Sequence, residues 1–115
     1  MIAATILALA LVPHTYTVDD DQPADFSDLP AAIAATLPGD VLLVKPGVYG
    51  PAVVTHSLSI LADPDLAKPF VLDEFVVDGA MECNLAGLQF TNLVIKNVVG
   101  RVRIDDCNVA GSWDS

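Results

Sequence analysis

The sequence predicts an all-β fold: a three-sided solenoid of short stacked strands, covered at its N-terminal end by one short α-helix. Three observations predict it. After Gly39 the chain becomes a series of short apolar runs punctuated by Gly, Pro, Asn or Asp, the pattern of many brief strands joined by tight turns. The hexapeptide Glu82-Cys83-Asn84-Leu85-Ala86-Gly87 recurs 24 residues later as Asp106-Cys107-Asn108-Val109-Ala110-Gly111. A period of that length marks architectures whose repeats bury their apolar faces only against their neighbours. Finally, only one segment carries helical spacing, which leaves no room for alternating βα units.

Composition sets the limits. A chain of 115 residues with one continuous pattern has room for one domain, and 53% hydrophobic against 17% charged residues makes it a folding sequence despite a net charge of −10. The hydrophobicity is mostly Val, Leu, Ile and Ala, so the core is expected to be built in thin layers of small branched side chains. Fifteen carboxylates against five basic residues, with no Lys/Arg cluster, exclude nucleic acid as a partner and disfavour anionic lipid.

Taken in order, the first element is the apolar run Ile2 to Val12. It ends near Ala8-Leu9-Ala10, the small-x-small form of a signal-peptidase site, so residues 1–13 read as a secretory signal peptide and residues 14–115 as the solenoid. The run lacks a preceding Lys or Arg, and a buried first strand or helix is the alternative. It is too short to span a bilayer, so no membrane span is expected. Location outside the cytoplasm follows: secreted, periplasmic or at the cell surface. Next, His14 to Val18 alternates in polarity as a short strand and stops at Asp19-Asp20-Asp21-Gln22-Pro23. Ser27 can serve as N-cap to a helix over Asp28 to Thr36, with Pro30 in its first turn, Leu29, Ala32, Ile33 and Leu37 at helical spacing, and Pro38-Gly39 ending it. Strands are then expected at Val41 to Val44, Val53-Val54, Leu58 to Leu61, Phe75 to Val77, Leu88 to Phe90, Leu93 to Ile95 and Val102 to Ile104. With about three strands per 24-residue period, each period is one coil of three sides. Cys83 is then expected above Cys107, and Asn84 above Asn108 at a turn. A leucine-rich repeat, read from Leu85, Leu88, Phe90 and Leu93, is the competing fold, but Asn92 falls one place off that pattern and Val109 to Ser112 does not restore it.

The stretch Pro38-Gly39-Asp40-Val41-Leu42-Leu43-Val44-Lys45-Pro46-Gly47-Val48-Tyr49, preceded by the Leu29 to Thr36 helix and followed by Leu58-Ser59-Ile60, resembles the N-terminal signature of the pectin-lyase-like superfamily. The resemblance implies a right-handed parallel β-helix, commonly secreted and often acting on polysaccharides. It implies a capping role for the helix, and active sites on middle coils that this chain barely reaches. The residues make physical sense without it: an open solenoid end exposes apolar side chains and unpaired edge groups, and an amphipathic helix covers them. Pro46-Gly47 supplies a turn, and Tyr49 can pack its ring while keeping its hydroxyl at a polar edge.

Candidate chemistry is sparse. In Arg101-Val102-Arg103-Ile104-Asp105, alternation places Val102 and Ile104 inside and Arg101, Arg103 and Asp105 outside, where mixed charges can grip an anionic sugar; the commoner role of such a face is a solvated row of weak ion pairs. Asp19, Asp20, Asp21 and Asp25 offer oxygen ligands for calcium without matching a loop motif, and Asp25 and Asp28 also suit the start of a helix. Cys83 and Cys107 with His14 and His56 lack metal-ligand spacing; interior packing, a disulfide or a reactive pair remain open for the cysteines. Asn84, Asn92, Asn97 and Asn108 read as turn formers before sugar contacts. No catalytic, cofactor-binding or metal-site residue is assigned. The expectation is a secreted structural or binding solenoid for a polysaccharide or a partner surface, with the non-catalytic start of a polysaccharide lyase or glycoside hydrolase as alternative. No C-terminal cap is readable before Ser115, so the last layer is expected to be incomplete and to invite self-association.

Overall fold

The structure, a computed structural model, describes residues 14–20, 23–63, 65–79 and 82–114, the stretch 110–114 as backbone only. The apolar leader Ile2 to Val12 and Asp21 of the acidic turn lie outside the described residues. The chain forms a parallel β-solenoid of about four turns with one short helix. Its elements are β1 (Thr15–Val18), α1 (Leu29–Ala35), β2 (Asp40–Val44), β3 (Val48–Tyr49), β4 (Ala52–Val54), β5 (Leu58–Ala62), β6 (Phe70–Asp78), β7 (Glu82–Ala86), β8 (Gln89–Lys96), β9 (Arg101–Asp105) and β10 (Asn108–Asp114). They make two sheets, β1-β2-β5-β7-β9 and β10-β8-β6-β3 with β4 also on β6, and every pairing is parallel. The expected strands are present, though the stretch expected as Leu88 to Phe90 starts only at Gln89 and is continuous with Leu93 to Ile95 in one strand, β8, and β10 follows beyond the last strand predicted.

Strand alternation builds the core as columns. Leu42, Ile60 and Leu85 stack in register and are essentially inaccessible, and a second column runs Tyr49, Val71 and Phe90. Burying each such side chain contributes about 1.5–3 kcal/mol. The core is not wholly aliphatic: the Phe75 and Phe90 rings lie 5.1 Å apart between the second-sheet strands.

The coil length departs from expectation. Asp40 lies beside Leu58, Leu58 beside Cys83 and Cys83 beside Val102, advances of 18, 25 and 19 residues. The repeated hexapeptide therefore does not mark one coil. Asn84 sits beside Ser59 and Arg103, whereas Asn108 opens β10 beside Gln89. Cys107 occupies the place Leu88 holds one coil earlier, shown by Asn108 N donating to the Leu88 carbonyl (2.9 Å) as Gln89 N does to that of Pro69 (2.9 Å). The two peptides look alike because each joins a strand to a left-handed corner, but the corner falls at the end of the first peptide and the start of the second. Gly87 (φ 77°) and Asp106 (φ 53°) are those corner residues, and Asn97 (φ 56°) turns the corner after β8. Asn84 and Asn108 themselves lie in strands, not turns. Cys83 and Cys107 are free thiols.

One short helix is present where the sequence places it. α1 packs against β4 and β1 through Leu29, Ala32 and Ile33, but its N-cap is Asp28, not Ser27: Asp28 is extended and its Oδ1 accepts from Ala31 N at 2.8 Å. Asp40 explains the Pro-Gly-Asp sequence. Almost fully buried, it accepts from Leu37 N (2.8 Å) and His14 N (3.0 Å), tying the helix exit to the start of β1. Desolvation pushes this carboxyl up, but the two backbone donors, with the His14 and His56 imidazoles nearby, pull further and hold it below the usual carboxylate range. The Tyr49 ring is packed in the core as expected, and its hydroxyl, instead of lying at an edge, meets the carbonyls of Lys45 (2.8 Å) and Val18 (3.2 Å).

Candidate functional site

The same alternation that fills the core sets an outer face on the first sheet. Ser59 and Leu61 on β5, Asn84 and Ala86 on β7, and Arg103 and Asp105 on β9 stand in register across three coils. Together with Leu85 they line a shallow trough of about 350 Å³. It is extended at the strand starts by a depression of about 270 Å³ around Gly39, Ser57 and Glu82, and at the strand ends by one of about 390 Å³ around Ala62, Gly87 and Asp106. Shared residues make these one groove along the strands.

Two of the three outer-face residues expected from sequence, Arg103 and Asp105, line this trough, and Arg101 lies beside it on the same strand. All three are exposed. Among the described residues none of them makes an ion pair; the described ion pairs are Lys68 Nζ to Asp106 Oδ2 at 2.9 Å, and His14 Nδ1 to Asp40 Oδ1 at 4.0 Å when the imidazole is protonated. Asn84 Nδ2 donates to Ser59 Oγ at 3.1 Å, linking the two coils across the trough. A guanidinium, a carboxylate, an amide and a hydroxyl thus border an apolar floor of Leu61 and Ala86. That set can donate to and accept from a hydroxylated or carboxylated ligand. Ser59 was not legible as a trough residue: Leu58-Ser59-Ile60 shows that it faces outward, but only the register places it beside Asn84.

The other constellations separate. Asp25 Oδ2 accepts from Thr17 N (2.9 Å), and Asp20 Oδ2 from Val48 N (2.9 Å), so these two suggested calcium ligands serve different turns. Among the described residues no three His, Cys, Asp or Glu side chains converge as a metal site. His14 stacks on Tyr16, and His56 Nε2 lies 2.8 Å from Thr36 Oγ1. Since the Thr36 hydroxyl donates to the Ile33 carbonyl (2.7 Å), the proton in the contact with His56 comes from Nε2. That pair borders a groove of about 540 Å³ between α1 and β4. Burial pushes the Cys83 thiol up to about 12, and burial also raises that of Cys107. Among the described residues no helix is long and apolar enough to cross a membrane.

Compared with known proteins, the chain matches no family model, no curated protein and no solved structure.

Proposed function

We propose that this chain is a secreted or cell-surface binding solenoid whose trough on the first sheet takes a glycan or the glycan-like surface of a partner. The observation that carries the reading is the trough itself, where Arg103 and Asp105, free of ion pairs among the described residues, flank Asn84 and Ser59 over an apolar floor. An extended chain suits it because the depressions follow one another along the strands on one outer face, from Gly39 and Glu82 to Gly87 and Asp106.

The finer fold we propose is a right-handed, three-sided parallel β-helix of pectin-lyase-like type. Register shifts between Val71 and Glu74 in β6, and between Val109 and Ser112 in β10, support a bend that splits each second-sheet strand into two sides. Right-handed crossovers are the rule between parallel strands of one sheet. The positions of Asp40, which ties the helix exit to the start of β1, and of Tyr49, which bonds the carbonyls of Val18 and Lys45, support the likeness of the Gly-Asp and Pro-Gly-x-Tyr sequences to that superfamily.

Retention on a panel of immobilised acidic and neutral polysaccharides tests the function, with release of unsaturated or reducing ends followed in parallel. Retention weakened roughly tenfold or more by Arg103→Ala, without new ends, is expected. Turnover by this chain, or retention indifferent to Arg103 and Asn84, would overturn it.

A further inference from the structure

The groove on the first sheet is dipolar along its strands. Arg101 and Arg103 stand toward the start of β9 and Asp105 at its end, all exposed and, by alternation, on one outer face. Among the described residues neither guanidinium nor the Asp105 carboxylate makes an ion pair or a side-chain hydrogen bond. Their neighbours differ in kind. Arg103 ends a row with Asn84 and Ser59, which offers amide and hydroxyl groups, whereas Asp105 ends a row with Ala86 and Leu61, which is apolar up to the carboxylate. The next acid, Asp106, is held by Lys68 at 2.9 Å, so Asp105 is the carboxylate that a ligand meets at this end.

We infer that the groove selects a zwitterionic glycan, a linear polymer in which a uronate carboxylate and the free ammonium of an unacetylated hexosamine sit on neighbouring sugars. The carboxylate lies against Arg103, with Arg101 adding positive charge on the same side and Asn84 and Ser59 bonding the sugar hydroxyls. The ammonium lies against Asp105 above Leu61 and Ala86, where apolar side chains displace water and strengthen the attraction. Two residues of strand separate the positions by about 6.6 Å, a span that charged groups on adjacent sugars of an extended chain can match. Other glycans fit less well. A purely acidic polymer brings a second carboxylate against Asp105, and a neutral one covers both charges without pairing either. Opposite charges at the two rows therefore select a ligand that carries both signs in the same order.

The inference rests on the glycan-binding reading of the groove. Calorimetric titration with an alternating uronate–N-acetylhexosamine polymer, and with the same polymer after N-deacetylation, tests it at neutral pH and about 0.15 M salt, where long-range attraction to a chain of net charge −10 is screened. The deacetylated polymer should bind roughly threefold or more tighter. Asp105→Asn should bring the two polymers within about twofold of each other, and Arg103→Gln should weaken both. Glu74→Gln, which removes a carboxylate from β6 on the second sheet, should keep the preference. Equal or stronger binding of the acetylated polymer, dependent on Arg103, would overturn the inference and leave the glycan reading standing. A preference that survives Asp105→Asn, or that Glu74→Gln abolishes as fully, would also overturn it. Binding of neither polymer would do the same, and the polysaccharide panel then decides whether the glycan reading falls with it.

Discussion

Leu85→Ala removes the side chain beyond Cβ from the middle of a stacked column, between Ile60 on one coil and Ile104 on the next. Leu85 is 1% exposed, so the full transfer term applies, about 2.4 kcal/mol at roughly 0.8 kcal/mol per methylene. A cavity between layers adds to it, and the expected loss is about 3–4 kcal/mol, a large part of what a domain this size possesses. Ile104→Ala, in the same column but over a third exposed among the described residues, should cost about 1–2 kcal/mol. Urea midpoints at constant m-value measure both. A double-mutant cycle then tests the register: Ile60→Ala and Leu85→Ala should couple by at least about 0.5 kcal/mol, whereas Cys83→Ala and Cys107→Ala, which share no register position, should add within about 0.5 kcal/mol. Coupled cysteines beside independent Ile60 and Leu85 would refute these coils and restore the 24-residue period.

Other outcomes follow from single contacts. Asp40→Ala leaves the Leu37 and His14 N–H groups without their acceptor and should cost about 1–3 kcal/mol at neutral pH. Because the Asp40 carboxyl is held below its ordinary value when folded, its stabilisation is present above the unfolded value and lost as pH falls through the folded one. Urea midpoints of the two proteins should therefore converge in acid, and a gap that persists there would remove the charge from the explanation. Gly87→Ala forces a Cβ into a φ of 77° and to 3.2 Å from the Ala62 Cβ, and should lower stability by about 1–3 kcal/mol; Gly50→Ala, where a Cβ meets nothing within 4 Å, should change it by less than about 0.5 kcal/mol. Thiol labelling near neutral pH should be slow, with half-buried Cys107 reacting before Cys83 and Cys83 reacting only at the rate of unfolding. Fast labelling of Cys83 would contradict its place in the core.

The sequence by itself determined what depends on a few neighbouring residues. Alternating Val, Leu and Ile between turn residues is enough to specify short strands, because each has one face to bury. Leu29, Ala32 and Ile33 specify the apolar side of a helix that needs a partner. Arg101, Arg103 and Asp105 were legible as an outer face for the same reason, since the side-chain period of a strand is local. Even there the N-cap, read at Ser27, falls one residue later: both residue types cap helices, and the extended backbone at Asp28 makes it the cap.

Only the tertiary structure decided which residues stack. A solenoid coil closes through turns of unequal length, so advances of 18, 25 and 19 residues produce equivalent positions. The extra length in the second coil lies mainly between Ala62 and Phe70, as polar surface chain with no apolar period to betray it. Sequence similarity recognised the chemistry of a strand meeting a left-handed corner, but that chemistry occurs at more than one corner of a coil. Hydrogen bonds between coils discriminate among corners, and they set Cys107 over Leu88 instead of Cys83. They also bring Ser59, Asn84 and Arg103, far apart in the chain, onto one face, which is why the trough is a property of the register and not of any segment.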